Sequence, residues 1–194
     1  MSPTAMSGPS PSYRQVMVFV DGGYLREYIK KKWGNQELAT GPFQTLLRKL
    51  IEKVQSGNIY GELIRTYYYD AIVDEKEKDE RERQNKFFDT LRTLPFCTVR
   101  LGRLKTARKK PRRQKGVDIL MAIDMLTKAY ENHYDIAILV AGDGDFVDLV
   151  EAVKDAGKRV LGAYIKDHVD DKLLVSLDNH IIISDESLQK LAGK

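Results

Sequence analysis

Four aspartates stand where the chain passes from one element to the next: Asp21 in VDGG, Asp118 in KGVD, and Asp143 and Asp145 in AGDGD. Carboxylates gathered without cations repel one another and hold their protons to higher pH. A divalent cation relieves that repulsion. Oxygen donors alone select Mg²⁺ or Mn²⁺. The three histidines, His133, His168 and His180, adjoin none of these aspartates, and Cys97 is the single cysteine. A zinc site of nitrogen and sulfur donors is therefore unsupported. A hard cation held by aspartates positions a phosphodiester, lowers the pKa of an attacking water and stabilises the leaving oxygen. Gly22, Gly23, Gly142 and Gly144 flank the aspartates and leave room for a phosphate or metal to approach the backbone. A plain structural reading exists for each residue: Asp21 as a turn residue, Asp143 and Asp145 as turn and N-cap, Asp118 as a first-turn acid favoured by the helix dipole. Asp124 lies six residues beyond Asp118, roughly 9 Å up the helix and about 120° round, and takes a second-tier place.

The elements that must position these residues read as strands alternating with helices. QVMVFVD (15–21) is an apolar strand closed by Gly22-Gly23, and ELIRTYYYD (62–70), 96–104, DIAILVA (135–141), 158–165 and 181–183 are further strands. Helical spacing marks 24–33, 43–55, 75–93, 117–130, 146–156, 170–177 and 185–191, with a loop over 34–42. The helix at 75–93 is charge-laden and expected to be mainly exposed. That at 117–130 is apolar nearly all round and expected to be largely buried. The alternation argues for an α/β domain whose mostly parallel sheet is covered on both faces. Ligands of such sheets bind outside the carboxyl ends of the strands, which is where Asp21 and Asp143 fall. Tyr67, Tyr68 and Tyr69 alternate faces along one strand, so packing suits them better than base stacking. Trp33, Cys97 and the histidines are read as packing residues.

With 194 residues the chain suits one domain, over 15–194, preceded by a Ser/Pro-rich tail over 1–14 expected to be disordered. Its 42% hydrophobic and 31% charged residues exclude disordered and fibrous classes. No apolar run reaches the roughly 18–20 residues of a membrane span, and a single cysteine permits no intrachain disulfide, so the cytoplasm is the expected compartment. Arg103, Lys105, Arg108, Lys109, Lys110, Arg112, Arg113 and Lys115 form a stretch with no acid among them. These eight cations exceed the whole chain's net charge of +4, so the remainder is mildly acidic. The stretch runs straight into Asp118, which suits a phosphate backbone lying beside the aspartates. As a bland alternative it is a solvated loop.

The pieces MVFVDGGYL, KGVDILMAIDML and ILVAGDGDFVDLVEAVKDAGKRV, in that order between Val16 and Ile165, resemble the NYN domain family of PIN-like nucleases, also described as LabA-like or DUF88 proteins. The resemblance implies a PIN-like three-layer α/β/α fold and metal-dependent ribonuclease chemistry. Its acidic roles fall on Asp21, Asp118, Asp143 and Asp145, and Asp124 matches a recurrent family acid. Many relatives carry Asn three residues after the first Asp, where this chain has Tyr24. The resulting expectation is an RNA-cleaving hydrolase using Mg²⁺ or Mn²⁺: Asp21 and Asp143 as primary ligands, Asp118 as ligand or orienter of the attacking water, Asp145 as outer ligand, and residues 103–115 as the substrate clamp. Homo-oligomerisation is left open. Two rivals remain: a non-catalytic RNA-binding module, favoured by Tyr24, and a haloacid-dehalogenase-type phosphatase, which needs a second Asp where Gly23 stands.

Overall fold

The computed structural model describes residues 12–34, 38–56, 58–72, 78–102 and 116–194. β1 (Ser12–Asp21) leads into α1 (Gly22–Trp33) and α2 (Thr40–Glu52). Next come β2 (Ile59–Ala71), α3 (Lys78–Thr93), β3 (Cys97–Gly102) and α4 (Val117–Tyr130), then β4 (Ile136–Val140), a 3-10 turn (Gly144–Phe146) and α5 (Val147–Asp155). β5 (Arg159–Ile165), α6 (Asp171–Ser176), β6 (Asn179–Ile183) and α7 (Asp185–Leu191) complete the order. α2 begins earlier than its apolar stripe indicates, because Pro42 falls in the first turn, where a helix has no use for its N–H. β1 likewise starts at Ser12: Ser12, Tyr13 and Arg14 already pair with Ile59, Tyr60 and Gly61.

The six strands form one sheet in the order β3-β2-β1-β4-β5-β6, and every neighbouring pair is parallel. Alternation along β1 builds the two faces. Val16, Val18 and Val20 point into a core shared with Leu25 and Ile29 of α1, Phe43 and Leu50 of α2, Phe88 and Leu91 of α3 and Leu188 of α7. Met17 and Phe19 point into the opposite core with Met121 and Met125 of α4, Val150 and Val153 of α5 and Leu173 of α6. The result is the three-layer α/β/α arrangement expected of a PIN-like domain.

α3 is mainly exposed, as its charges indicate, whereas α4 departs from its sequence reading. α3 carries its charges outward but buries Gln84, Phe88 and Leu91. α4 buries Val117, Met121, Met125 and Ala129, yet leaves Ile119, Ile123 and Tyr130 more than half exposed. A helix lying on one face of a sheet has only one side to bury, whatever its composition. Tyr67, Tyr68 and Tyr69 are all buried, Tyr68 on the α1 side and the other two on the α4 side. Among the described residues no helix is long and apolar enough to cross a membrane.

The strand order reverses between β1 and β4. The chain leaves β1 toward one face, through α1, and leaves β4 toward the other, through α5, so a crevice opens between the two exits.

Candidate functional site

Asp21 is the last residue of β1 and Val20 pairs with Val140 at the end of β4, so the backbone delivers Asp21 and Asp143 to the same edge of the sheet. Each is held by a local turn. Asp21 caps α1, its Oδ1 accepting the Tyr24 N–H at 3.0 Å. Asp143 caps the 3-10 turn, its Oδ1 accepting the Asp145 N–H at 3.0 Å. In both cases no described residue bonds to Oδ2. Asp118 lies in the first turn of α4, which starts after Gly116 at φ 100°, a conformation that favours glycine. No ion pair or hydrogen bond from the described residues reaches the Asp118 carboxylate.

The carboxylates feel one another. Burial, offset in part by the Tyr24 N–H, and then the charges of Asp118, Asp70 and Glu27 push the Asp21 carboxyl up to about 7. Asp118 is also raised, by burial first and then by Asp143 and Asp145. Asp118 thus links the set, its charge acting on Asp21 and those of Asp143 and Asp145 acting on it, and none of the four has an ion-pair partner among the described residues. Their donor chemistry suits a hard divalent cation. As the side chains stand, however, no group of three or more His, Cys, Asp or Glu among the described residues is gathered tightly enough to hold a metal ion.

Asp124 behaves differently. Its Oδ2 accepts the Tyr69 hydroxyl at 3.0 Å and faces Arg100 Nε at 3.2 Å, while Lys128 Nζ lies 3.2 Å from Oδ1. Two cations and a phenol occupy it, so it stands apart from the four.

The glycines expected to leave open space are closely packed instead. A Cβ on Gly22 would collide with the Tyr68 ring, one on Gly142 with the His168 carbonyl and the Tyr24 ring, and one on Gly144 with the Asp170 carboxylate, whose Cγ would be 2.8 Å away. Gly23 is buried. At Gly22, Gly142 and Gly144 the missing side chain makes room for the protein's own atoms.

Tyr24 reaches from α1 to the end of β5. Its hydroxyl donates to the His168 carbonyl and accepts the Ile165 N–H, both at 2.8 Å, fastening α1 to the end of β5. Burial pushes the phenol up to about 12, so it keeps its proton at neutral pH.

Four residues at this edge escaped the sequence reading. Asp170 caps α6, and its N–H donates to the Gly142 carbonyl at 2.9 Å, which sets its carboxylate against Gly144. Glu27 acts on Asp21 through space. At the end of β2, Asp70 is fully buried and paired with Arg26 of α1 through Nη2–Oδ1 at 2.6 Å and Nε–Oδ2 at 3.2 Å. Asp170 carried a signal, an Asp-Asp step opening a helix after a strand. Arg26 and Asp70 carried none, because their pairing depends on β2 lying beside β1.

The basic residues Arg103, Lys105, Arg108, Lys109, Lys110, Arg112, Arg113 and Lys115 lie outside the described residues. Their flanks do not: Gly102 packs directly against Val117. The two flanks of that segment therefore meet next to Asp118. The histidines stay away from the four aspartates in their contacts, His133 with Glu131, His168 with Tyr28 and His180 with Tyr164.

Comparison with known proteins gives a match of the NYN domain model to residues 15–185. A crystal structure of a protein of unknown function from Vibrio parahaemolyticus RIMD 2210633 is similar, with a TM-score of 0.67 at 22% sequence identity over 92% of this chain and 98% of that one. At that identity the likeness speaks to the fold alone. No curated protein matches.

Proposed function

The chain belongs to the NYN domain family, and we propose that it is a metal-dependent ribonuclease that cleaves RNA phosphodiester bonds in the crevice between the ends of β1 and β4. The observation that carries this reading is the set of carboxylates around Asp118, whose charge acts on Asp21 and which itself feels Asp143 and Asp145, without a cation of the described residues to balance them. Stability alone gives no reason to collect like charges at one edge, whereas a functional site does. Mg²⁺ or Mn²⁺ held there by Asp21 and Asp143, with Asp118 as ligand or orienter of the attacking water and Asp145 outside them, would supply Lewis acidity to a phosphodiester and to that water.

The chain's own residues do the rest. Asp21 and Asp143 are fixed by the Tyr24 and Asp145 N–H groups, so each presents its second oxygen in a set direction. Asp118 has neither tether, and its raised affinity for a proton suits it to orient the attacking water and accept a proton from it at a carboxylate oxygen. Asp124, already paired to Arg100 and Lys128, holds α4 against β2 and β3. The cations of segment 103–115 act as the clamp on the phosphate backbone.

A second reading, an RNA-binding module without turnover, is favoured by Tyr24. In place of the Asn that many relatives have, this side chain spends its hydroxyl on Ile165 and His168. One experiment separates the readings: labelled single-stranded and structured RNAs incubated with the protein in Mn²⁺, in Mg²⁺ or in EDTA. Cutting in metal that stops in EDTA is expected. Binding without cutting in either metal establishes the module instead.

A further inference from the structure

The strongest basic feature among the described residues near the crevice is Arg26. Its guanidinium is held side-on by Asp70, Nε to Oδ2 at 3.2 Å and Nη2 to Oδ1 at 2.6 Å. Asp70 is itself immobilised, being 1% exposed and accepting the Ala71 N–H at 2.7 Å and the Tyr68 hydroxyl at 3.3 Å. A guanidinium has five N–H donors. Asp70 takes one from Nε and one from Nη2, which leaves both on Nη1 and one on Nη2. One from each of Nη1 and Nη2 makes the end-on fork that matches two oxygens of a phosphate. No protein partner for Nη1 exists among the described residues, and the side chain is 23% exposed.

The pair stands at the same edge of the sheet as Asp21, on its β2 side. Asp21 pairs in register with Tyr69, and Asp70 is the next residue along β2. Gly22, which follows Asp21, lies against the ring of Tyr68, whose hydroxyl is bonded to Asp70. Asp70 is close enough for its charge to act on Asp21.

We propose that Arg26 is a phosphate-anchoring residue: Asp70 presets its guanidinium so that the free fork grips a backbone phosphate of an RNA strand lying in the crevice beside Asp21. This rests on the nuclease reading for the identity of the ligand. Because the rotamer is fixed before the ligand arrives, little side-chain entropy is lost on binding. The bland account makes Arg26 only the counter-ion of Asp70. A buried ion pair seldom adds stability over a neutral pair of the same shape, so the two accounts separate on ligand binding rather than on folding.

The test uses the full chain and a fluorescent single-stranded RNA, with affinity measured in EDTA across a salt series and thermal melting followed in parallel. The double variant Arg26→Gln with Asp70→Asn leaves the net charge of the crevice unchanged and can keep a neutral hydrogen-bonded pair. Expected are melting close to wild type, about tenfold weaker binding, and a salt slope smaller by about 0.7, one phosphate contact on a single strand. Arg26→Lys keeps the charge without the fork, and binding several-fold weaker at an unchanged slope is expected. Wild-type affinity and slope in the double variant overturn the proposal. Should the double variant fail to fold, Arg26→Lys decides, and wild-type affinity there overturns it. Absence of RNA binding by the wild-type chain at low salt also overturns it. The nuclease reading fails separately: weakened binding in the variants with no cutting by wild type in Mn²⁺ keeps the anchor and removes the catalysis.

Discussion

Asp118 and Asp124 leave the same helix less than two turns apart and meet opposite surroundings. Asp124 is compensated by the protein, through Tyr69, Arg100 and Lys128. Asp118 faces Asp143 and Asp145, which with burial raise its affinity for a proton. Asp70 and Asp21, neighbours across β1 and β2, repeat the contrast. Asp70 is fully buried but satisfied by Arg26, Tyr68 and Ala71, whereas Asp21 keeps one tether, the Tyr24 N–H, and is pushed up to about 7. A carboxylate that the fold has neutralised is part of the scaffold. One left in the field of other carboxylates is, on the function proposed above, the one that takes a ligand, and the geometry of partners, not the residue type, makes the distinction.

The contrast breaks most easily on activity. Asp143→Asn is expected to lower RNA cleavage at least about a hundredfold, of the order seen when an oriented charged group is lost from a catalytic site, with melting unchanged or higher because a repulsive charge is gone. Asp124→Asn should retain most of the cleavage rate. Equal losses in the two variants, measured on the same RNA in Mn²⁺, would erase the division drawn here.

On stability the order reverses. Asp124→Ala leaves Arg100, Lys128 and the Tyr69 hydroxyl without their common partner, and a cost of about 2 kcal/mol is expected. For a chain of this length that is a fall of roughly 4–8 °C in Tm, read by thermal denaturation in EDTA. A variant that melts with wild type would show that Asp124 contributes no more to the scaffold than the four crevice aspartates do.

The smallest effect sharpens the contrast by pH. The Asp21 carboxyl titrates near 7 in the folded chain against an ordinary value of 3.8. Between those two values the folded state therefore holds more protons than the unfolded state, and stability falls as pH rises through the window. In EDTA, Asp21→Asn should flatten that fall and be more stable than wild type at pH 8, by about 1–3 kcal/mol, with the advantage gone near pH 4. Added Mn²⁺ should restore wild-type stability at pH 8 and leave the Asn variant little changed. A wild-type profile level from pH 4 to 8 in EDTA would show that Asp21 does not feel the crevice field.

Much of this architecture was legible in the residues. β-branched runs ending in Asp-Gly or Gly-Asp mark strands and the loops that follow them, and α4 and α7 match the bounds read from spacing alone. The outward face of α4 was not legible. Ile119 and Ile123 look like core residues by type, and only the position of the sheet shows which side of the helix it can cover.

By itself the sequence determined the local elements and the placing of Asp21, Asp118, Asp143 and Asp145 at their ends, because hydrophobic period and turn chemistry are short-range properties. The neighbour order of the strands was decided by tertiary packing, and with it the arrival of Asp21 and Asp143 at one edge of the sheet. Tertiary packing also gave Asp124 to Arg100 and Lys128, filled the space beside Gly22 with Tyr68, sent the Tyr24 hydroxyl to β5, and set Arg26 on Asp70. Each of these joins residues from different elements, and no periodicity within one element specifies which side chain a neighbouring strand or helix will bring to it.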